Sequence, residues 1–145
     1  MNYVITTVHG TFAPDAAWAQ QDSAFCERLQ RGLEGQSIVR RYQWSGRNSH
    51  DARSDAVGAL CHYLEEGKRL YPTAEHIVVA HSHGGNVALW SARQSNAVDR
   101  IVCMATPFIS ATVRTYRDER QPLPKTWTLG LPIFIQRRLQ LEVAA

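Results

Sequence analysis

A β-branched run, Ile77-Val78-Val79, enters the stretch Ala80-His81-Ser82-His83-Gly84, and Val87-Ala88-Leu89-Trp90-Ser91-Ala92 leaves it with helix-forming composition. A strand, a corner and a helix must therefore follow one another with almost no connecting chain. Small residues are needed at such a corner because strand and helix pack close to contact there. The serine at its apex is held with its hydroxyl clear of the backbone. The usual form of this corner is G-x-S-x-G. Here Ala80 replaces the first glycine, at the cost of one methyl group.

The rest of the chain alternates between strand and helix. Tyr3 to Val8 reads as a strand ending at His9-Gly10, and Asp22 to Arg31 as a helix with Asp22 or Ser23 as N-cap and Gly32 beyond its end. Ser37 to Trp44 follows as a second strand. Ser49 to Leu70 follows as a long helix burying Ala56, Val57, Leu60 and Leu64, with Pro72 closing the region. His76 to His81 is the third strand, His83 to Gln94 its helix and Arg100 to Ala105 a fourth strand. Such alternation implies right-handed crossovers and an α/β fold, a three-layer sandwich with a mostly parallel central sheet. A sheet covered on both faces predicts that Val4, Ile5, Val8, Val39, Ile77, Val78, Val79, Ile101 and Val102 are inaccessible. The edge beyond Ile101–Ala105 is expected to be the least protected.

Past Pro107 the pattern weakens. Gln121 to Pro132 holds three prolines and one glycine, a loop composition, and Leu139-Gln140-Leu141-Glu142-Val143 suits strand or helix equally. The expected organisation is a core over residues 1–110 and an irregular extension of the same domain over 111–145.

With 145 residues and 44% hydrophobic content, the chain has enough apolar surface for one core. No apolar run approaches the roughly 18 residues of a membrane span, and the start, Met1-Asn2-Tyr3-Val4-Ile5, reads as a structural strand and not a leader. Three widely spaced cysteines, Cys26, Cys61 and Cys103, read as reduced, mostly buried thiols, so a cytoplasmic location is expected. The net charge of +3 is mild and part of its basic excess lies beyond Arg114, without interleaved aromatics; this argues against a nucleic-acid partner.

Ser82 is the candidate nucleophile; the alternative role for a serine here is a plain helix N-cap. His9-Gly10-Thr11 ends the first strand, and a glycine turn there can aim a backbone N–H at the point addressed by the amide of His83. Two such amides make an oxyanion hole. A metal site built on His81, His83 and His9 lacks further ligands at matching spacing, and Gly84-Gly85 is not a dinucleotide fingerprint, so no metal and no cofactor are expected. Trp44 reads equally as a pocket wall or as core; Trp18, Phe25 and Trp90 read as core aromatics.

Taken together, His9-Gly10-Thr11, Trp44-Ser45-Gly46-Arg47-Asn48-Ser49, Ala80-His81-Ser82-His83-Gly84-Gly85-Asn86 and Ala105-Thr106-Pro107-Phe108 resemble the α/β-hydrolase superfamily, in particular its bacterial lipase- and esterase-like members. The resemblance covers residues 1 to about 110. It implies Ser82 as catalytic nucleophile and His83, Gly10 and Thr11 as the oxyanion hole. The implied activity is hydrolysis of a small-molecule or lipid ester through an acyl-serine. A homo-oligomer is compatible with it, and a catalytically inactive binding module on the same fold is the alternative.

One departure from the pattern is plain. In that fold the triad runs serine, acid, histidine. After His83 come 62 residues without a histidine, and Asp99, Asp118, Glu119 and Glu142 are the carboxylates among them. The chain resembles the N-terminal core of such a protein. Of the other histidines, His81 and His83 should point away from Ser82, His9 should tether its own loop, His50 and His62 should lie at the surface, and His76 should be partly exposed.

Overall fold

The computed structural model describes residues 1–108 and the backbone of residues 140–144. Five strands form one sheet: β1 (Tyr3–Val8), β2 (Ser37–Tyr42), β3 (Glu75–His81), β4 (Arg100–Met104) and β5 (Gln140–Ala144). Three helices, α1 (Ala24–Arg31), α2 (His50–Leu70) and α3 (His83–Gln94), join the first four strands, and a short 3-10 turn occupies Ala17–Ala19. Every strand pair is parallel, in the order β2-β1-β3-β4-β5.

Local signals set the helix ends. The Ser23 hydroxyl accepts from the Cys26 amide at 3.1 Å, and Ser49 accepts from Ala52 at 3.2 Å, each satisfying a donor that the first turn leaves free. α2 also carries Asp51 in its first turn and Lys68 and Arg69 in its last, charges that oppose the helix dipole. Its apolar stripe, Ala56, Val57, Leu60 and Leu64, is buried against the sheet and α3.

Parallel pairing assigns each face of the sheet. On one, Tyr42 donates through its hydroxyl to Ala56 O at 2.9 Å and Arg40 to Tyr63 O at 3.1 Å, so this face meets α2; Ser91 in turn ties α3 to Val57 O at 3.0 Å. On the other, Thr7 donates to Ala19 O at 2.9 Å and Gln30 to Ser37 O at 3.0 Å, which is the α1 side.

Three features correct the sequence expectation. Val39, Ile77 and Val102 are only half-buried, whereas Val4, Ile5, Val8, Val78, Val79 and Ile101 are buried. All three point to the α1 side, where only α1 and the short turn cover the sheet among the described residues. The edge beyond β4 is not open: β5 pairs with it, Arg100 opposite Gln140 through Met104 opposite Ala144. The described part of the alternating run, from Gln140 on, is thus a strand. Trp90 is 51% exposed on the outer side of α3, with the Arg93 guanidinium 5.0 Å from its ring, and so is not a core residue. The loop expected over Gln121–Pro132 lies outside the described residues. The three cysteines are buried and unpaired.

Candidate active site

The strand order creates the site. From β1 the chain moves to one side to form β2, then returns across β1 to form β3 on its other side. At such a reversal the connections leave to opposite faces, and a crevice opens at the carboxyl ends of the two strands. Here those strands are β1 and β3. Val8 pairs with Ala80, so extending the register two residues brings Gly10 level with Ser82.

Ser82 stands between β3 and α3 with φ 54° and ψ −134°, a conformation rare for any residue with a side chain. Its side chain does not cap α3 and makes no hydrogen bond among the described residues, which removes the plain N-cap role. Its backbone is held from both sides: Ser82 N donates to Met104 O at 2.9 Å, and Gly85 N donates to Ser82 O at 2.9 Å.

Glycines let three segments converge on this corner. A β-carbon on Gly10 would lie 2.9 Å from Ser82 Cβ. One on Gly84 would run into the carbonyl oxygens of His9 and Val8, the latter at 2.8 Å. One on Gly85 would run into the Thr106 side chain, with Cγ2 at 2.7 Å. The first turn of α3 therefore rests directly on the ends of β1 and β4. The backbone amides of Thr11 and His83 have no acceptor among the described residues.

His9 is fully buried and fixes the turn. Its Nε2 lies 3.1 Å from both the amide nitrogen and the carbonyl oxygen of Trp44, and its Nδ1 lies 2.8 Å from Gly10 O. The Trp44 indole N–H donates to His9 O at 2.9 Å, and the two rings stack 5.6 Å apart at 12°. His9 is thus a tether, as expected, with both ring nitrogens engaged. Trp44, 6% exposed, belongs to the core; with Tyr42, Ser45 and Ala56 it also lines a cavity of about 500 Å³ between the end of β2 and the start of α2, whose lining includes neither Ser82 nor Gly10. Burial pushes the Tyr42 phenol there up to about 12, beyond any acid–base use near neutral pH.

No histidine is hydrogen-bonded to Ser82 among the described residues. The His81 ring meets the Trp18 ring edge-on at 6.1 Å, and His83 Nδ1 is buried without a partner. His50 and His62 lie at the surface, with side chains 92% and 86% exposed. His76 overturns its expectation: it is 2% exposed, on the α2 side of the sheet, with Nε2 3.0 Å from Tyr71 O. Trp18 and Phe25 pack edge-to-face at 5.4 Å, both half-buried.

Sequence reasoning missed the residues that brace the corner from β4. Asn86 donates through Nδ2 to Pro107 O at 3.0 Å, binding α3 to the loop after β4. Phe12 and Ala105 share with Ser82 a positive φ, 59° and 46°; among the described residues these three are the only non-glycine cases. They follow β1, β4 and β3, the strands that frame the crevice. Positive φ at a phenylalanine or an alanine has no residue-type signature, so only coordinates reveal it.

No family model matches the chain, and no curated protein matches it. Solved structures do. An acetylxylan esterase superposes with a TM-score of 0.61 at 12% identity, covering 99% of this chain and 81% of its own. The lipase BlEst2 of Bacillus licheniformis gives 0.57 at 21% identity over 71% of this chain and 40% of its own. A cutinase-like protein from Cryptococcus sp. gives 0.52 at 17% identity over 73% of this chain and 54% of its own. The chain thus spans about half the length of the last two. At these identities the likeness establishes the α/β-hydrolase fold, here with five parallel strands.

Proposed function

We propose that this α/β-hydrolase-fold chain is a serine hydrolase of carboxylic esters, with Ser82 as its nucleophile. The observation that carries the reading is the strained Ser82 backbone, uncapped and pressed against Gly10. A binding protein has no use for that strain, whereas a nucleophile must stand clear of its own backbone and meet a carbonyl carbon. The names of the similar structures, an esterase, a lipase and a cutinase-like protein, support an ester as substrate.

In this mechanism Ser82 Oγ forms a bond to the ester carbonyl carbon while its proton passes to water, which returns one to the departing alcohol. The carbonyl oxygen gains the negative charge, and the amides of His83 and of the Gly10-Thr11 turn donate to it. Collapse breaks the bond to the alcohol, which leaves with a proton. The acyl-serine is resolved when water adds its oxygen to the same carbon and Ser82 regains its hydrogen. Each step moves a proton and gains from a general base. His9 is committed to Trp44 and Gly10, and no histidine follows His83 in the 145 residues. With no base hydrogen-bonded to Ser82 among the described residues, acylation is expected with reactive esters and release of the acyl group is expected to be slower still.

The test is a p-nitrophenyl ester together with a fluorophosphonate probe. A burst with little turnover, plus labelling abolished in Ser82→Ala, is the expected result. Sustained turnover lost in Ser82→Ala would reveal a general base elsewhere in the chain. The second reading, a binding module on a hydrolase fold, draws on the same missing histidine. It predicts no burst and no labelling by any probe, and that outcome would overturn the nucleophile.

A further inference from the structure

Trp44-Ser45-Gly46 follows β2, and the strand register carries it to the turn after β1. Val8 pairs with Tyr42, so two further residues bring Trp44 level with Gly10. From there the segment grips the turn at both ends. At the near end, the main-chain nitrogen and oxygen of Trp44 each lie 3.1 Å from His9 Nε2. The Trp44 indole N–H also donates to His9 O at 2.9 Å, and the two rings stack. At the far end, Phe12 N donates to Gly46 O at 2.8 Å. Gly10 and Thr11 are the residues in between. Gly46 has φ 64°, and a β-carbon there would lie 3.4 Å from Phe12 N and 3.5 Å from His9 Cε1. His9 is 0% exposed and Trp44 6%, so water does not compete for the bonds between them.

We propose that Trp44 and Gly46 are positioning residues for the oxyanion hole: by gripping His9 and Phe12 they keep the amides of the Gly10-Thr11 turn aimed into the crevice. The proposal rests on Ser82 as nucleophile and on those amides as donors. A backbone amide without an acceptor gains by turning towards an internal one, and glycine has the rotational freedom to let it. A donor stabilises an oxyanion fully only when it is aimed beforehand and nothing has to reorganise during the reaction. The bonds that fix this turn must therefore come from outside it, and the Trp44–Gly46 segment supplies them on both sides of Gly10 and Thr11.

The test compares two probes with the same ethyl group, a fluorophosphonate and its thiophosphoryl analogue, in which sulfur replaces the phosphoryl oxygen. With each, Ser82 Oγ bonds to phosphorus as fluoride leaves and the hydroxyl proton passes to water. Sulfur is larger and a weaker acceptor, so the oxygen probe draws more from well-aimed amides. Trp44→Phe keeps a stacked ring and removes the indole N–H; Gly46→Ala keeps Trp44 and crowds Phe12 N. In each, the maximal labelling rate with the oxygen probe falls about tenfold while the concentration giving half that rate stays. The oxygen-to-sulfur rate ratio falls about threefold or more. Leu60→Ala, in the core away from the turn, keeps the ratio, which separates positioning from mere loss of stability. Melting curves verify that the variants fold, and the two substitutions are independent, so either one alone decides. A labelled wild type whose ratio survives the substitutions, or equal falls for both probes, would overturn the positioning role and leave the nucleophile intact. Absence of labelling of the wild type by either probe would overturn both.

Discussion

Gly10 and Ser82 touch: a β-carbon added to the glycine would stand 2.9 Å from that of the serine, closer than such atoms approach in folded proteins. The two lie 72 positions apart in sequence, and the contact exists because β1 and β3 are neighbours in exact register. Gly10→Ala forces the turn away from Ser82, carrying the Thr11 amide with it. Fluorophosphonate labelling is expected to fall about 10²-fold, the scale of losing one oxyanion donor. The cost in stability is about 1–3 kcal/mol, as for other overpacked sites. Labelling rates and urea melts measure the two separately.

Gly84→Ala meets backbone oxygens of β1, which have no rotamer to escape into. It should destabilise more than Gly10→Ala, because the whole first turn of α3 must lift from β1. A fall in the urea midpoint no larger than that of Gly10→Ala would contradict this packing.

Ser82→Gly relieves a backbone conformation that costs a side-chain-bearing residue about 1–3 kcal/mol. The variant should lose all labelling and gain about 1 kcal/mol in stability, read as a raised melting temperature. Ser82→Ala keeps the β-carbon and so should lose labelling without that gain.

His76 links stability to pH. Burial is the main cause that holds its pKa below the ordinary 6.5, and Lys68 and Arg40 act in the same direction, against the Tyr71 carbonyl and Asp99. The folded state keeps the ring neutral while the unfolded chain takes up a proton near 6.5. Its contribution is therefore present in full above that value and is lost as pH falls through it towards the lower folded pKa. Urea midpoints measured from pH 7.5 down to 5.5 should decline, and His76→Gln should flatten the decline.

Leu60 is fully buried between α2, the sheet and α3. Leu60→Ala should cost about 2–5 kcal/mol by urea denaturation. At temperatures where the variant stays folded, the rate of fluorophosphonate labelling should not change, since the crevice lies at the strand ends.

Most of the framework was legible locally. The β-branched run before Ala80, the glycine pair after His83, the serine before α1 and the stripe from Ala56 to Leu64 each specify their element through contacts within a few residues, and the elements formed where those signals lie. Ser82 at the corner and His9 as a tether were read in the same way. Tertiary structure decided what depends on distant partners. The order β2-β1-β3 brings Gly10 to Ser82. The depth of His76 and the openness of Val39, Ile77 and Val102 follow from which face each helix covers. The strand at Gln140–Ala144 exists by pairing with β4, since its alternation alone fits either a strand or a helix. The positive φ of Phe12 and Ala105 is the clearest case: no preference of phenylalanine or alanine favours it, so nothing local in the sequence signals it.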